Sequence, residues 1–356
     1  MAGRQLAWTV DPIESDGEGV RPSRPDIVAS IIISTYNRCE ALMETLKALN
    51  HQTVPTDSYE VVVVDDGSTD GTWDALTRVS LACAVQVFRH PTNQGVSAGR
   101  NMAIRQSRGQ YLILLSDDLL VPEDFIAAHV ETLERFPGHW VVGGFRQLPC
   151  LRDTPFGRYL DDLEESFTRA RKVRAIAPGL WELNWPTARN LSLRRDDLEK
   201  TGLFDERFRV TCEDQDLAQR ARDVGIRFLY NEQVTCLHND QAGDLPRYCR
   251  FQRKGAHDTV LLCAKYPEIH GASPLIPLNG YVMPEDGPIR RVKKGVKRWL
   301  SGDRAMAALE RLVAVCERGR VTERALRRLY RLLIGLSIFR GWREGLAALE
   351  RTGPTR

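Results

Sequence analysis

From residue 27 onward, short apolar runs and helical patterns take turns along the chain. The runs "IVASIIIS", "EVVVVDD", "AVQVFRH", "QYLILLS" and "WVVGGF" are dense in Val, Ile and Leu and have the length of strands. They are nearly continuous rather than alternating, the pattern of strands buried on both faces. Leu42, Leu46 and Leu49 fall at helical spacing between the first two runs. Ile126, Val130 and Leu133 repeat that spacing after the fourth, with Pro122 placed for a first helical turn. This alternation predicts an α/β fold with a mostly parallel, Rossmann-like sheet flanked by helices. Past residue 150 the strand signals thin out, then return around "NWPTARNLSLRR" and a helix from about Glu213 to Val224. Two further helical patterns, Leu309, Leu312, Val313 and Cys316, then Leu326, Leu329, Tyr330 and Leu333, predict a helical hairpin near the C-terminus.

The 356 residues are 42% hydrophobic, enough for a sizeable core. Charge is balanced, 50 basic against 47 acidic residues, so no global field favours nucleic acid and none is expected as a partner. The eight cysteines form no CxxC pair, which fits reduced thiols better than zinc or a disulfide framework. No secretory-signal pattern opens the chain and the late apolar run "LLIGLSIF" is too short to span a bilayer, so a cytoplasmic location is expected. Residues 1–26 read as a flexible leader. One stretch breaks the even charge: "PIRRVKKGVKRWL", within residues 288–300, sets six basic side chains ahead of Trp299 and Leu300. It reads either as an interfacial anchor at the inner face of a membrane or as a solvated basic linker.

Ligands of an open parallel sheet bind beyond the carboxyl ends of its strands. The first strand ends in "STYNR", the second in "DDGSTDGT" and the fourth in "SDD", so three loops converge on one crevice. Each has a bland reading as turn or cap chemistry. "NQGVSAGRNMAI" is a loop entering a helix, where Arg100 and backbone N–H groups would suit a phosphate. Asp117 and Asp118 stand side by side and repel unless something positive lies beside them. A hard divalent cation, Mn²⁺ or Mg²⁺, would relieve that repulsion; capping the next helix is the alternative. Glu213 and Asp214 open a helix three to four residues before buried-face Leu217, which leans both carboxylates toward the protein and suits a general base, or simply a contact with the helix dipole. His238 follows an apolar run and is either a packed residue or a metal ligand.

Taken in order, "SIIISTYNR", "VVVVDDGSTDGT", "NQGVSAGRNMAI", "LLSDDLLVP", "TARNLSLRR", "CEDQDLAQRARDVG" and His238 resemble the family 2 glycosyltransferases, inverting enzymes of the GT-A fold. The resemblance implies transfer of a sugar from a nucleotide-diphosphate sugar, UDP being the commonest carrier, to an unidentified acceptor by metal-assisted single displacement. Residues 27–150 would form the nucleotide-sugar half, 151–260 the acceptor and catalytic half, and 261–356 a basic and helical extension. Ser34, Thr35, Tyr36, Asp66 and Asp117 match nucleotide-binding positions. Asp117, Asp118 and His238 match the metal site, Asp214 or Glu213 the catalytic base, and Arg189 with Asn190 the donor-sugar or acceptor region. The family's Asp-x-Asp metal motif would begin at Leu115, so metal binding leans first on Asp117, with Asp118 and His238 as further ligands. Two rivals remain, a non-catalytic nucleotide-sugar binder and a sugar nucleotidyltransferase; the latter is disfavoured because "STYNRCE" lacks a glycine-rich loop.

Overall fold

The computed structural model describes residues 27–239, 244–268, 286–319 and 321–352; the expected leader, 1–26, lies outside them. The described strands are β1 (Ala29–Thr35), β2 (Tyr59–Asp65), β3 (Ala84–Arg89), β4 (Tyr111–Leu115), β5 (Leu119–Leu120), β6 (His139–Gln147), β7 (Lys172–Ala177), β8 (Leu180–Leu183), β9 (Asn190–Arg194) and β10 (Arg227–His238). They form one sheet in the order β3-β2-β1-β4-β9-β6-β10-β8-β7, with β5 added alongside β10. β3, β2, β1 and β4 run parallel, as do β6 and β10. β9 is antiparallel to both β4 and β6, and the β7–β8 hairpin joins β10 antiparallel. All five strands expected from the apolar runs are present.

The helices of this part are α1 (Cys39–Leu49), α2 (Thr72–Leu76), α3 (Val96–Gln106), α4 (Phe125–Arg135), α5 (Pro155–Arg171), α6 (Asp197–Thr201) and α7 (Glu213–Asp223). The strands' period of two divides the core between the two faces of the sheet. Ile31, Ile33, Val61, Val63, Ile113 and Leu115 cluster with Leu42, Leu46 and Leu49 of α1 and with Phe125, Ile126 and Leu133 of α4. Their neighbours Ile32, Val62, Val64, Leu112 and Leu114 cluster with Ala103 and Ile104 of α3 and with Leu217, Ala218 and Ala221 of α7. Burial on both faces is why these strands read as unbroken apolar runs. Truncating one such leucine to alanine costs about 2–5 kcal/mol. One boundary differs from expectation: α4 begins at Phe125, and the Pro122 carbonyl accepts the Phe125 N–H at 3.2 Å, so the proline closes a turn ahead of the helix.

Contacts divide the described chain into two compact units. One comprises 27–148, 161–209 and 213–239; the other comprises 149–160, 210–212 and the described residues from 244 to 352. The second unit contains α8 (Leu245–Lys265), α9 (Pro288–Leu300), α10 (Asp303–Arg318) and α11 (Glu323–Thr352). The hairpin expected from the sequence corresponds to α10 and α11. α11 also packs on α8, where Trp342 meets Val260 and Cys263 and the Glu344 carboxylate pairs with Arg253. Phe156, Tyr159, Tyr248 and Tyr330 form a ring cluster in the same unit.

Candidate active site

β4 delivers Asp117 and Asp118 just past its carboxyl end, and strand pairing fixes what surrounds them. Leu119 and Leu120 form the two-residue β5 and pair antiparallel with His238 and Leu237 of β10. That register lays His238 beside Asp118, and the Asn239 N–H donates to the Asp118 carbonyl at 2.7 Å. The β4–β9 register pairs Leu115 with Asn190, so Arg189 is carried to the same place, its carbonyl accepting the Ser116 N–H at 2.8 Å. From β1, the Thr35 hydroxyl donates to Asp117 Oδ2 at 2.7 Å.

Both aspartates are buried, and they are held unequally. Arg38 Nη2 lies 2.8 Å from Asp118 Oδ2, whereas Arg38 Nη1 is 3.6 Å from Asp117 Oδ1. His238 Nε2 lies 3.0 Å from Asp118 Oδ2 and 3.0 Å from Arg189 Nη2, while Gln147 Nε2 is 2.9 Å from His238 Nδ1. Burial by itself would raise the Asp118 pKa, but His238, Arg38 and Arg189 overcome it and hold the carboxyl well below the usual range. Asp117 goes the other way: burial pushes it up to about 6 against the pull of Arg38, and the charge on Asp118 adds to the rise. The positive group that the adjacent acids require is Arg38, from the "STYNR" loop.

Asp118 Oδ1 is buried and has no hydrogen-bond partner. Among the described residues no three His, Cys, Asp or Glu side chains converge as a metal cage. The donor set nevertheless fits a hard divalent ion bound the way Mg²⁺ usually is, by one carboxylate and few protein ligands with the rest from phosphate oxygens and water. Asp118 and His238 are placed for that task. Asp117 is turned toward Thr35.

The second acid pair opens α7. Glu213 is buried and joins the buried Arg100 at 2.5 Å, leaving its Oε2 without a partner. Asp214 is half-buried and accepts backbone N–H groups of Ala188 and, at 2.8 Å, Gln215. Burial and the neighbouring Glu213 charge push Asp214 up to about 6, against the pull of Arg100. Arg100 is therefore committed inside the protein and does not face a phosphate as its loop suggested; burial beside an acid makes ion pairing its way out. A single segment connects the two acid sites. The Ala188 N–H reaches Asp214, the Ala188 carbonyl accepts from Arg100 Nη2 at 3.2 Å, and Arg189 reaches His238.

The remaining candidates divide clearly. Tyr36 is 44% exposed and open to a ligand. Ser34 lies under α3, where a Cβ added at Gly99 would stand 2.1 Å from its Oγ. Asp66 is 2% exposed with both oxygens engaged: Oδ1 takes the Gln94 N–H at 2.8 Å and lies 2.7 Å from His90 Nδ1, and Oδ2 takes the Gly95 N–H at 2.8 Å. In this arrangement it ties the 94–95 loop to β2, and Oδ2, with one N–H bound, keeps an acceptor site for a further donor. Asn190 is fully buried; its Nδ2 donates to the Val234 carbonyl at 2.8 Å and its Oδ1 is 2.9 Å from His129 Nε2. Burial lowers His129 to about 4, so this pair is a neutral polar plug in the core and Asn190 does not reach a donor sugar. Sequence reasoning missed Arg38, Gln147 and Arg171. The Arg171 Nε is buried and unpaired, and its charge acts on Asp214 and Arg189. Arg38 was within reach of the sequence, as the basic residue closing the loop that faces the acid pair.

Residues 30–177 match the sequence model of Glycosyl transferase family 2. The chain is 27% identical to the uncharacterized glycosyltransferase YfnE of Bacillus subtilis over 299 residues, covering 72% of this chain and 75% of that protein. Residues 30–177 thus carry the sequence pattern of glycosyl transferase family 2. A second relative of this chain is glycosyltransferase AglE of Haloferax volcanii, 30% identical over 210 residues, with 59% of this chain and 66% of the relative covered. Among solved structures, the mannosyltransferase PcManGT from Pyrobaculum calidifontis in complex with GDP-Man and Mn²⁺ shares the fold. Its TM-score is 0.54 at 21% identity, covering 92% of this chain and 91% of that one. The expected GT-A-type architecture of this glycosyltransferase is thus borne out.

Proposed function

We propose that this glycosyltransferase moves a sugar from a nucleoside-diphosphate sugar to an acceptor nucleophile by a single inverting displacement, with Asp214 as base and Asp118 and His238 facing the diphosphate. The observation that carries this reading is the division of labour joined by Ala188 and Arg189: one carboxylate is kept ionised among cations, and a separate one is raised to about 6. A base works best with a pKa near the working pH and within hydrogen-bond reach of the proton it takes. Asp214 has the first property, and Arg100 neutralises Glu213, leaving Asp214 as the free member of its pair. A divalent ion bound by Asp118 and His238 would supply Lewis-acid neutralisation of the departing diphosphate. Arg38 and Arg189 orient those ligands and add positive charge where the leaving group's negative charge grows. Exposed Tyr36, beside the β1 end, offers a face for stacking of the donor's base.

A second reading is metal-independent: Arg38 and Arg189 alone neutralise the diphosphate, as the 2.8 Å contact of Arg38 with Asp118 and the absence of a three-ligand cage among the described residues favour. Calorimetry with UDP, GDP and dTDP, with and without Mn²⁺ and after EDTA treatment, separates the two. Metal-dependent binding of one nucleotide that is lost in Asp118→Asn supports the first reading. Binding indifferent to metal supports the second. Absence of binding to all three overturns the donor assignment, and no hydrolysis of any nucleotide sugar points to a binding module without chemistry.

A further inference from the structure

The basic stretch flagged in the sequence folds as α9, and its surroundings set it apart from the other helices. Four of its apolar side chains are largely exposed: Ile289 74%, Val292 66%, Val296 50% and Trp299 74%. At the helical repeat these four lie within an arc of about 80°, a single continuous stripe. The six basic residues Arg290, Arg291, Lys293, Lys294, Lys297 and Arg298 occupy the rest of the circumference, and the helix contains no acid. Lys293 borders the stripe on one side; Arg291 and Arg298 border the other. The helix is fastened by its opposite side, where buried Lys294 meets Asp286 at 2.6 Å and Lys297 lies 5.6 Å from the Phe339 ring. Crowding is already felt there: burial, with Lys293 and Lys294, lowers the Lys297 pKa. Positive charge is thus concentrated against its own repulsion around an uncovered apolar face.

We propose that α9 is a membrane-surface anchor that lies in the plane of an anionic bilayer, with Ile289, Val292, Val296 and Trp299 entering the boundary between headgroups and acyl chains. The chemistry chooses this occupant. A protein partner for the stripe would leave the rim cations to be matched individually, whereas a lipid surface supplies anionic phosphates on both sides of an apolar stripe at once. Trp299 sits at the end of the stripe, the amphipathic residue suited to headgroup depth. Among the described residues no helix is long and apolar enough to cross a membrane, so this contact would be peripheral.

The test uses the full chain in flotation with vesicles of pure phosphatidylcholine and with vesicles carrying roughly a third phosphatidylglycerol. Flotation is expected with anionic vesicles only, weakening as salt rises. The triple variant Val292→Gln/Val296→Gln/Trp299→Gln removes the stripe and keeps every charge. Lys293→Gln/Arg298→Gln does the reverse and should weaken binding by roughly fivefold per residue. Both sets lie on the surface, so nucleotide binding and melting temperature should stay at wild-type values and report intact folding. Loss of flotation in both variants supports the anchor. Flotation that survives the apolar variant would reduce the effect to non-specific charge and overturn it. So would absence of flotation in the wild type, or a wild-type dimer in light scattering that the apolar variant dissociates, which would make the stripe a self-contact. None of these outcomes depends on Asp118 or Asp214, so the proposal stands or falls apart from the catalytic reading.

Discussion

The two acid pairs, Asp117–Asp118 and Glu213–Asp214, begin from the same predicament and leave it by different routes. Each sets adjacent carboxylates where burial sharpens their repulsion, and each ends with one member paired to an arginine and the other pushed up to about 6. At the end of β4 three cationic or imidazole groups, Arg38, Arg189 and His238, gather on Asp118, and Asp117 falls back on a hydroxyl. At the start of α7 the cation Arg100 is spent on Glu213. The difference shows that a doubled acid is a device for splitting roles. On the proposed reading, the surplus of cations around Asp118 suits added negative charge, and the raised carboxylate of Asp214, held by two backbone N–H groups, suits taking up a proton.

The sharpest way to break this contrast is Asp214→Asn, which should lower kcat by roughly 10³-fold, within the range expected for removing a general base, while nucleotide binding is retained. In the wild type, kcat/KM should fall about tenfold per pH unit below about 6 as Asp214 takes up its proton, measured by donor turnover across buffers. A variant with activity intact and the acid limb unmoved would return the base to Glu213. Next in size is Arg100→Met, expected to cost about 3 kcal/mol in urea unfolding because it strands a buried carboxylate; the double variant Arg100→Met/Glu213→Gln should recover most of that loss.

At the first pair, Asp118→Asn should weaken metal-dependent nucleotide binding by about 10- to 100-fold, and Asp117→Asn by less. If calorimetry gives the reverse order, the ligand is Asp117, as the sequence alone suggested. The smallest effect concerns stability. Because Asp214 has a folded-state pKa raised above the free carboxyl value of 3.8, its neutral form favours folding, and that contribution is lost as pH rises from about 4 through about 6. Asp214→Asn should accordingly be more stable than wild type at pH 7.5 by about 1 kcal/mol, discounted for its partial exposure, and the gain should vanish near pH 4 in thermal scans.

Legibility in the sequence followed burial. β1, β2, β4 and β6 stood out because both faces are covered and their central positions are mostly apolar, and β3, only partly buried, still carries a short apolar run. β7, whose four central residues are exposed, has its sequence "KVRAIA" broken by Lys172 and Arg174 and gave no such run. α8 was hidden by its many Arg and Lys residues, and β5, two residues long, was below any periodic signal although it brings His238 to Asp118. At the site, positions past strand ends were found from chain order alone. What the order could not say was which polar side chains point inward. Asn190 has the composition of a ligand and is consumed by the fold, whereas Arg38 and Arg171 matter through their neighbours in space.

The contact between Gly99 and Ser34 limits how this chain can change over generations. A methyl group at 99 would meet the Ser34 Oγ at 2.1 Å and its Cβ at 2.9 Å, so trimming the serine to alanine leaves the obstruction in place. In a saturation library, codon 99 should tolerate glycine alone, and an alanine there should survive only on a background that already carries Ser34→Gly. Mutational paths through this corner of the site are therefore ordered, the strand yielding before the helix.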